Sequence, residues 1–270
     1  MIFAEIHGKL GADGSRAHER SEDLLTSTVF GLLRYLPPRD GLVAVLMKSR
    51  RVSSEAGAIR TSPSDSWLAL DQVSSVEVDF WPSGLENAEP DLLIRLLDSH
   101  STVAHLIALE VKLWSPKSGT VSKDDDASKD GEVEGSSLLP DRDQLVKYWR
   151  RLQRIAGNAT PTVVYLTPHP SPPEADLRDS LAICPSMRLG WLSWTDIWEA
   201  LSQSGVAAES AVAADLLLLL EHKGFSRFRG FKQPVTAPLE AGFWRGERWF
   251  ASASRLPSNA LQSIWQSTRD

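Results

Sequence analysis

The sequence predicts an α/β or α+β domain of helix, strands, helix, strand order. Three observations lead there. Leu24, Leu25, Thr28, Val29, Leu32, Leu33 and Leu36 recur at helical spacing. Val76-Glu77-Val78-Asp79-Phe80-Trp81 alternates as a strand does. Two apolar runs, 91–97 and 105–113, flank the turn-forming residues Asp98-Ser99-His100-Ser101-Thr102 and read as a hairpin.

The elements follow in order. Residues 7–20 are polar and read as a mobile lead-in. Ser21 is the N-cap candidate of a helix reaching Leu36, with Glu22 and Asp23 suited to its positive end. Pro37-Pro38 stops it. Residues 41–48 fit a strand or a short helix, and 50–66, rich in Ser, Ala and Gly, read as a loop. After the hairpin, residues 115–140 have the composition of a flexible insertion. Asp141 opens a helix over Gln144–Ile155, and 161–166 is a buried strand. Pro168, Pro170, Pro172 and Pro173 mark a loop, Leu189–Leu192 a short strand, Thr195–Leu201 a helix and Ala208–His222 another, stopped by Gly224. There is no internal repeat. The 270 residues form one domain, with a core over about 20–170 and a helical, irregular C-terminal extension over 171–270.

Composition removes several function classes. The single cysteine, Cys184, excludes an intrachain disulfide and a Cys-rich zinc site; within Ala-Ile-Cys-Pro it reads as core. No apolar run reaches a membrane span and no signal peptide is visible, so a cytoplasmic protein is expected. No Gly-rich phosphate loop is present. The six histidines show no zinc-type pairing and read as turn or surface residues. Net charge is −6, against an unselective polycation. Residues 123–134 hold six acids and two lysines and so supply −4 of it.

The hairpin carries the chemistry. With its turn near 100 or 101, facing residues have index sums near 201, which sets Asp91 opposite Glu110. Alternation puts Ala108, Glu110 and Lys112 on one face, and Ile107, Leu109, Val111 and Leu113 on the other. Two facing carboxylates repel. A divalent cation resolves that repulsion, and Mg²⁺ favours one or two carboxylates plus waters and phosphate oxygens. The alternative is an ion-pair cluster on a half-exposed sheet. Asp79 shares its face with Glu77 and reads as a solvated edge.

Pro90-Asp91, eighteen residues, then Glu110-Val111-Lys112 resembles the signature of the PD-(D/E)XK nuclease superfamily, whose core runs helix, three-stranded antiparallel meander, helix, strand. The resemblance implies a restriction-endonuclease-like fold and a Mg²⁺-dependent nuclease, with Mn²⁺ able to substitute. It implies that Asp91 and Glu110 bind the metal, with the Val111 carbonyl a further ligand. Lys112 would position or activate the attacking water, Glu22 would be an outer ligand, and Gln144 would orient Lys112 or a phosphate. Each of the last two has a second reading: Glu22 complements the helix dipole, and Asp141-x-x-Gln144 forms a capping box. DNA is the expected substrate, with RNA left open, and restriction or phage defence the implied setting. A homodimer or a partner subunit is compatible with the family. The rival is a non-cleaving DNA-binding or protein-interaction module that keeps the fold.

Two basic stretches suit phosphate contact. Lys147, Arg150, Arg151 and Arg154 share one helical face. Residues 222–250 interleave Lys223, Arg227, Arg229, Lys232, Arg245 and Arg248 with aromatic rings, which either stack on bases or fill the core.

Overall fold

The computed structural model describes residues 17–63, 67–83, 85, 88–113 and 143–227. Seven strands form one mixed sheet, and helices cover both of its faces. In chain order the elements are α1 (Ala17–Leu33), α2 (Leu42–Leu46), β1 (Arg50–Glu55), β2 (Ala58–Ser62), β3 (Ser75–Phe80), β4 (Leu92–Leu97) and β5 (Val103–Val111). Then come α3 (Gln144–Ile155), β6 (Thr160–Thr167), α4 (Glu174–Ile183), β7 (Leu189–Ser193), α5 (Trp194–Ser204), a 3₁₀ turn (Val206–Ala208) and α6 (Ala211–His222). The strand order is β2-β1-β7-β6-β5-β4-β3. The pairs β5–β6 and β6–β7 are parallel and the others antiparallel.

Side-chain alternation assigns the two faces. Ile107, Leu109 and Val111 of β5 pack with Leu25, Val29, Phe30 and Leu33 of α1, and with α2, α5 and α6. Leu106 and Ala108 pack with Leu145, Val146, Trp149 and Leu152 of α3, and with Leu177 and Leu181 of α4. Burial on both faces explains why the central strands are near-continuous apolar runs.

The β4–β5 hairpin has the expected register. Leu92 faces Leu109, Leu93 faces Ala108 and Ile94 faces Ile107, until a bulge between Leu96 and Leu97 absorbs the turn. The turn is held by Asp98, whose Oδ1 accepts from the amides of His100 and Thr102 at 2.8 and 2.9 Å. Asp79 lies exposed on the edge strand β3 and accepts from Arg95 at 2.5 Å, as a solvated edge should.

Several expectations change. Residues 50–66 do not form one loop: 50–55 and 58–62 make a hairpin, turned by Ala56 and Gly57 at φ 50° and 79°. Both central turn residues need positive φ, which glycine supplies without steric cost. Residues 41–48 contain the short helix α2. Residues 17–20 already belong to α1, so Ser21 is inside the helix rather than its cap, and Glu22 is not in its first turn. α3 is capped by Asp143, whose side chain accepts from the Val146 amide at 3.0 Å. That removes the capping-box role of Gln144, which becomes the first helical residue. Helix α4 was not expected. Cys184 sits half-buried at its C-terminal end instead of deep in the core. α5 opens on a reciprocal capping box of Ser193 and Asp196. α6 starts at Ala211, later than expected, with Gly224 (φ 81°) beyond its end. His105 is buried, with Nε2 at 3.0 Å from the Ala69 carbonyl, instead of lying at the surface.

Residues 7–16, the acidic insertion and the basic aromatic segment beyond Arg227 lie outside the described residues. Among those described, no helix is long and apolar enough to cross a membrane.

Candidate active site

The site sits where β4 begins and β5 ends, at the carboxyl edge of the three parallel strands β5, β6 and β7. Antiparallel pairing brings Asp91, just before β4, beside the last residues of β5. The Val111 amide donates to Asp91 Oδ2 at 2.8 Å. The other oxygen, Oδ1, accepts from the Trp81 indole Nε1 at 3.3 Å. Asp91 is thus held between β3 and β5, its neighbours on either side.

Glu110 is 2% exposed. Its Oε1 lies 2.7 Å from Lys112 Nζ, and its Oε2 lies 2.9 Å from the Tyr148 hydroxyl. That hydroxyl also lies 3.0 Å from the Glu89 carbonyl and accepts from Gln144 Nε2 at 2.6 Å. Tyr148 is one helical turn after Gln144, so both project from the same face of α3. Gln144 therefore reaches the site through Tyr148. Its amide oxygen Oε1 is buried without a hydrogen-bond partner.

Glu22 comes from α1. Its Oε2 accepts from the Leu113 amide at 2.5 Å, and its Oε1 lies 3.8 Å from Lys112 Nζ. This replaces the helix-dipole role: Glu22 ties α1 to the strand end that carries the motif. Lys112 N in turn donates to the Leu166 carbonyl at 2.8 Å, which extends the β5–β6 pairing past Val111.

Three carboxylates share this corner with one ammonium. Burial pushes Glu110 up to about 8, the charge of Asp91 adds to the rise, and the Lys112 contacts oppose it. Burial also raises Asp91, to about 6, against the opposing pull of the Val111 amide. Burial disfavours the Lys112 ammonium, but Glu110, Asp91 and Glu22 together outweigh it and raise its pKa. Burial raises the Tyr148 hydroxyl as well, with the Glu110 charge adding to it. Burial is the largest cause of both carboxyl shifts, and the surrounding carboxylates keep the Lys112 ammonium charged.

The donor set fits a hard divalent cation. Asp91 and Glu110 offer carboxylate oxygens from adjacent strands, and every one of those four oxygens has only one hydrogen-bond donor named above, leaving a lone pair. Mg²⁺ takes one or two carboxylates and fills its shell with water and phosphate oxygen. Among the described residues no group of three or more His, Cys, Asp or Glu is placed so as to hold a metal ion.

The sequence reading missed two residues of the site, Tyr148 and Trp81. The signal for Tyr148 was its spacing of four from Gln144. Trp81 carried none beyond its place before Pro82. Lys147, Arg150 and Arg151 on α3 are half-buried and Arg154 is exposed. No protein-family model, curated protein or solved structure matches this chain.

Proposed function

We propose that this chain is a Mg²⁺-dependent nuclease of the restriction-endonuclease-like type, hydrolysing phosphodiester bonds of DNA. The observation that carries the reading is the meeting of Asp91, Glu110 and Lys112 at one strand end, with a buried excess of carboxylate over ammonium. The helix, antiparallel meander, helix, strand order of α1, β3–β5, α3 and β6 supports the fold assignment.

Asp91 and Glu110 would hold the cation, with the Val111 carbonyl a further ligand. The cation, when bound, supplies Lewis-acid stabilisation of charge on the scissile phosphate. The chain's own groups do the rest. Lys112 stays protonated between Glu110 and Glu22, so it acts as a hydrogen-bond donor and positive charge, not as a base. In that role it orients the attacking water and stabilises the phosphorane oxygens. The water oxygen forms a new bond to phosphorus as it gives up a proton to solvent, the bond to the leaving sugar oxygen breaks, and that oxygen takes a proton from solvent. Tyr148 fixes Glu110, and Gln144 fixes Tyr148 while presenting an unpartnered carbonyl oxygen.

The test is cleavage of plasmid and linear DNA, and of RNA, with Mg²⁺ or Mn²⁺. Wild type is compared with Lys112→Ala and Asp91→Ala, which should lose roughly 100-fold or more of the rate, as expected when a group acting on the transition-state charge is removed. Wild type that binds DNA without cutting it would favour the non-cleaving module instead. Variants that cut as well as wild type would overturn the assignment of these residues.

A further inference from the structure

We infer that Trp81 is a positioning residue of this site, setting the plane of the Asp91 carboxylate before a cation arrives; the inference rests on the nuclease reading above. Trp81 adopts φ 43°, a left-handed conformation that bulky side chains rarely take. Pro82 follows it, and proline pushes the residue before it toward extended backbone. The conformation is therefore disfavoured twice, and such residues persist only where their surroundings over-determine them.

What the turned backbone achieves is a double contact with one residue. The Trp81 amide donates to the Asp91 carbonyl at 3.0 Å, and its indole Nε1 donates to Asp91 Oδ1 at 3.3 Å. The ring is 6% exposed and lies 5.7 Å from the Phe80 ring at a tilt, so its rotamer is locked by packing. Val111 takes the other oxygen from the opposite side. With both oxygens held, the carboxylate cannot rotate, and its remaining lone pairs keep a fixed direction beside Glu110. A buried tryptophan that only filled space would need neither the indole hydrogen bond nor the strained backbone.

Trp81→Phe tests this, because it keeps a packed ring and removes the N–H. Cleavage is measured against Mg²⁺ concentration, with urea unfolding alongside. The half-saturating Mg²⁺ concentration should rise roughly 10-fold, the size of effect seen when a residue that orients a metal ligand is lost. The rate at saturating Mg²⁺ should return close to wild type. An unchanged Mg²⁺ dependence in a folded, active variant would overturn the positioning role. A second measurement does not require the variant to fold. In protein carrying ¹⁵N-indole tryptophan, one indole N–H resonance of wild type should move on adding Mg²⁺, and the same resonance should be displaced in folded Asp91→Ala. Absence of any such resonance would also overturn it. Wild type that cuts no nucleic acid overturns the nuclease reading itself, a result distinct from an active enzyme indifferent to Trp81.

Discussion

Glu110 makes the stability of the metal-free protein depend on pH in a direction the geometry fixes. Its carboxyl is buried, faces Asp91 and is pushed from an ordinary 4.5 up to about 8. Between those values the native state holds a proton that the unfolded chain has released. Stability therefore falls as pH rises from about 4.5 to about 8 and levels off above, at about 1.4 kcal/mol per pH unit for one proton. From pH 5.5 to 7.5 the loss from this group is roughly 3 kcal/mol, a large part of a typical domain's stability. Lys112 has no part in this window, because its raised pKa acts only above the ordinary lysine value of 10.5. His105 acts with the opposite sign. Burial lowers its pKa, so its contribution is lost as pH falls through the ordinary value of 6.5. The assay must therefore be a difference. Urea unfolding of wild type and Glu110→Gln, in chelator, is followed across pH 5.5–7.5. The amide stays neutral throughout, and His105 cancels in the subtraction. Wild-type stability relative to the variant should drop by roughly 3 kcal/mol over that range. Saturating Mg²⁺ at pH 7.5 should restore wild type and leave the variant less affected. A difference that stays flat or rises with pH would refute the claim that Glu110 is buried beside excess negative charge.

Three other outcomes follow from the contacts. Tyr148→Phe should keep the fold and slow cleavage roughly 10-fold, because Glu110 and Gln144 both lose the hydroxyl that orients them; rate assays beside urea unfolding check it. Gly190→Ala should destabilise by roughly 1–3 kcal/mol, since a Cβ there would meet the Trp67 ring. The approach is 2.6 and 2.7 Å to Trp67 Cη2 and Cζ2, and pairing the change with Trp67→Leu in a double-mutant cycle should recover part of the loss. Asp143→Ala should cost roughly 1–2 kcal/mol through the lost α3 cap, and the lost contact with the Ser180 hydroxyl adds to it; unfolding of the variant measures it.

The site was legible in the sequence where its geometry is local. Asp91 and Glu110 belong to one hairpin, so the turn alone fixes which residues face each other. Glu22 and Gln144 lie far along the chain, and only the resemblance suggested them; the contact of Gln144 with Tyr148 lay outside what it implied. Trp81 and Tyr148 were invisible because an aromatic residue reads as core, and nothing in its identity says where its single donor points. The fold shows the same division. β1 and β2 lack apolar alternation because β2 is a polar edge and β1 is buried at little more than Val52. Their place is set by β7, far along the chain. α4 was hidden by a polar face and by the four prolines before it. Asp141 and Asp143 are equivalent caps by composition, and only the path of the backbone chose between them.

The pairing of β1 with β7 also orders assembly. Arg50, Arg51 and Val52 find their partners at Trp191, Gly190 and Leu189, about 140 residues later, a separation that makes such contacts slow to form. During synthesis the β1–β2 hairpin emerges early, yet one side of β1 must wait for most of the chain. β7 lies between β1 and β6, and β6 pairs in turn with β5, the strand bearing Glu110. The β4–β5 hairpin pairs residues close in sequence and can form before the far edge closes. A lesion at Gly190 or Trp67 should accordingly leave an early compact species with β3, β4 and β5 in place and the β1–β2 edge exposed to self-association.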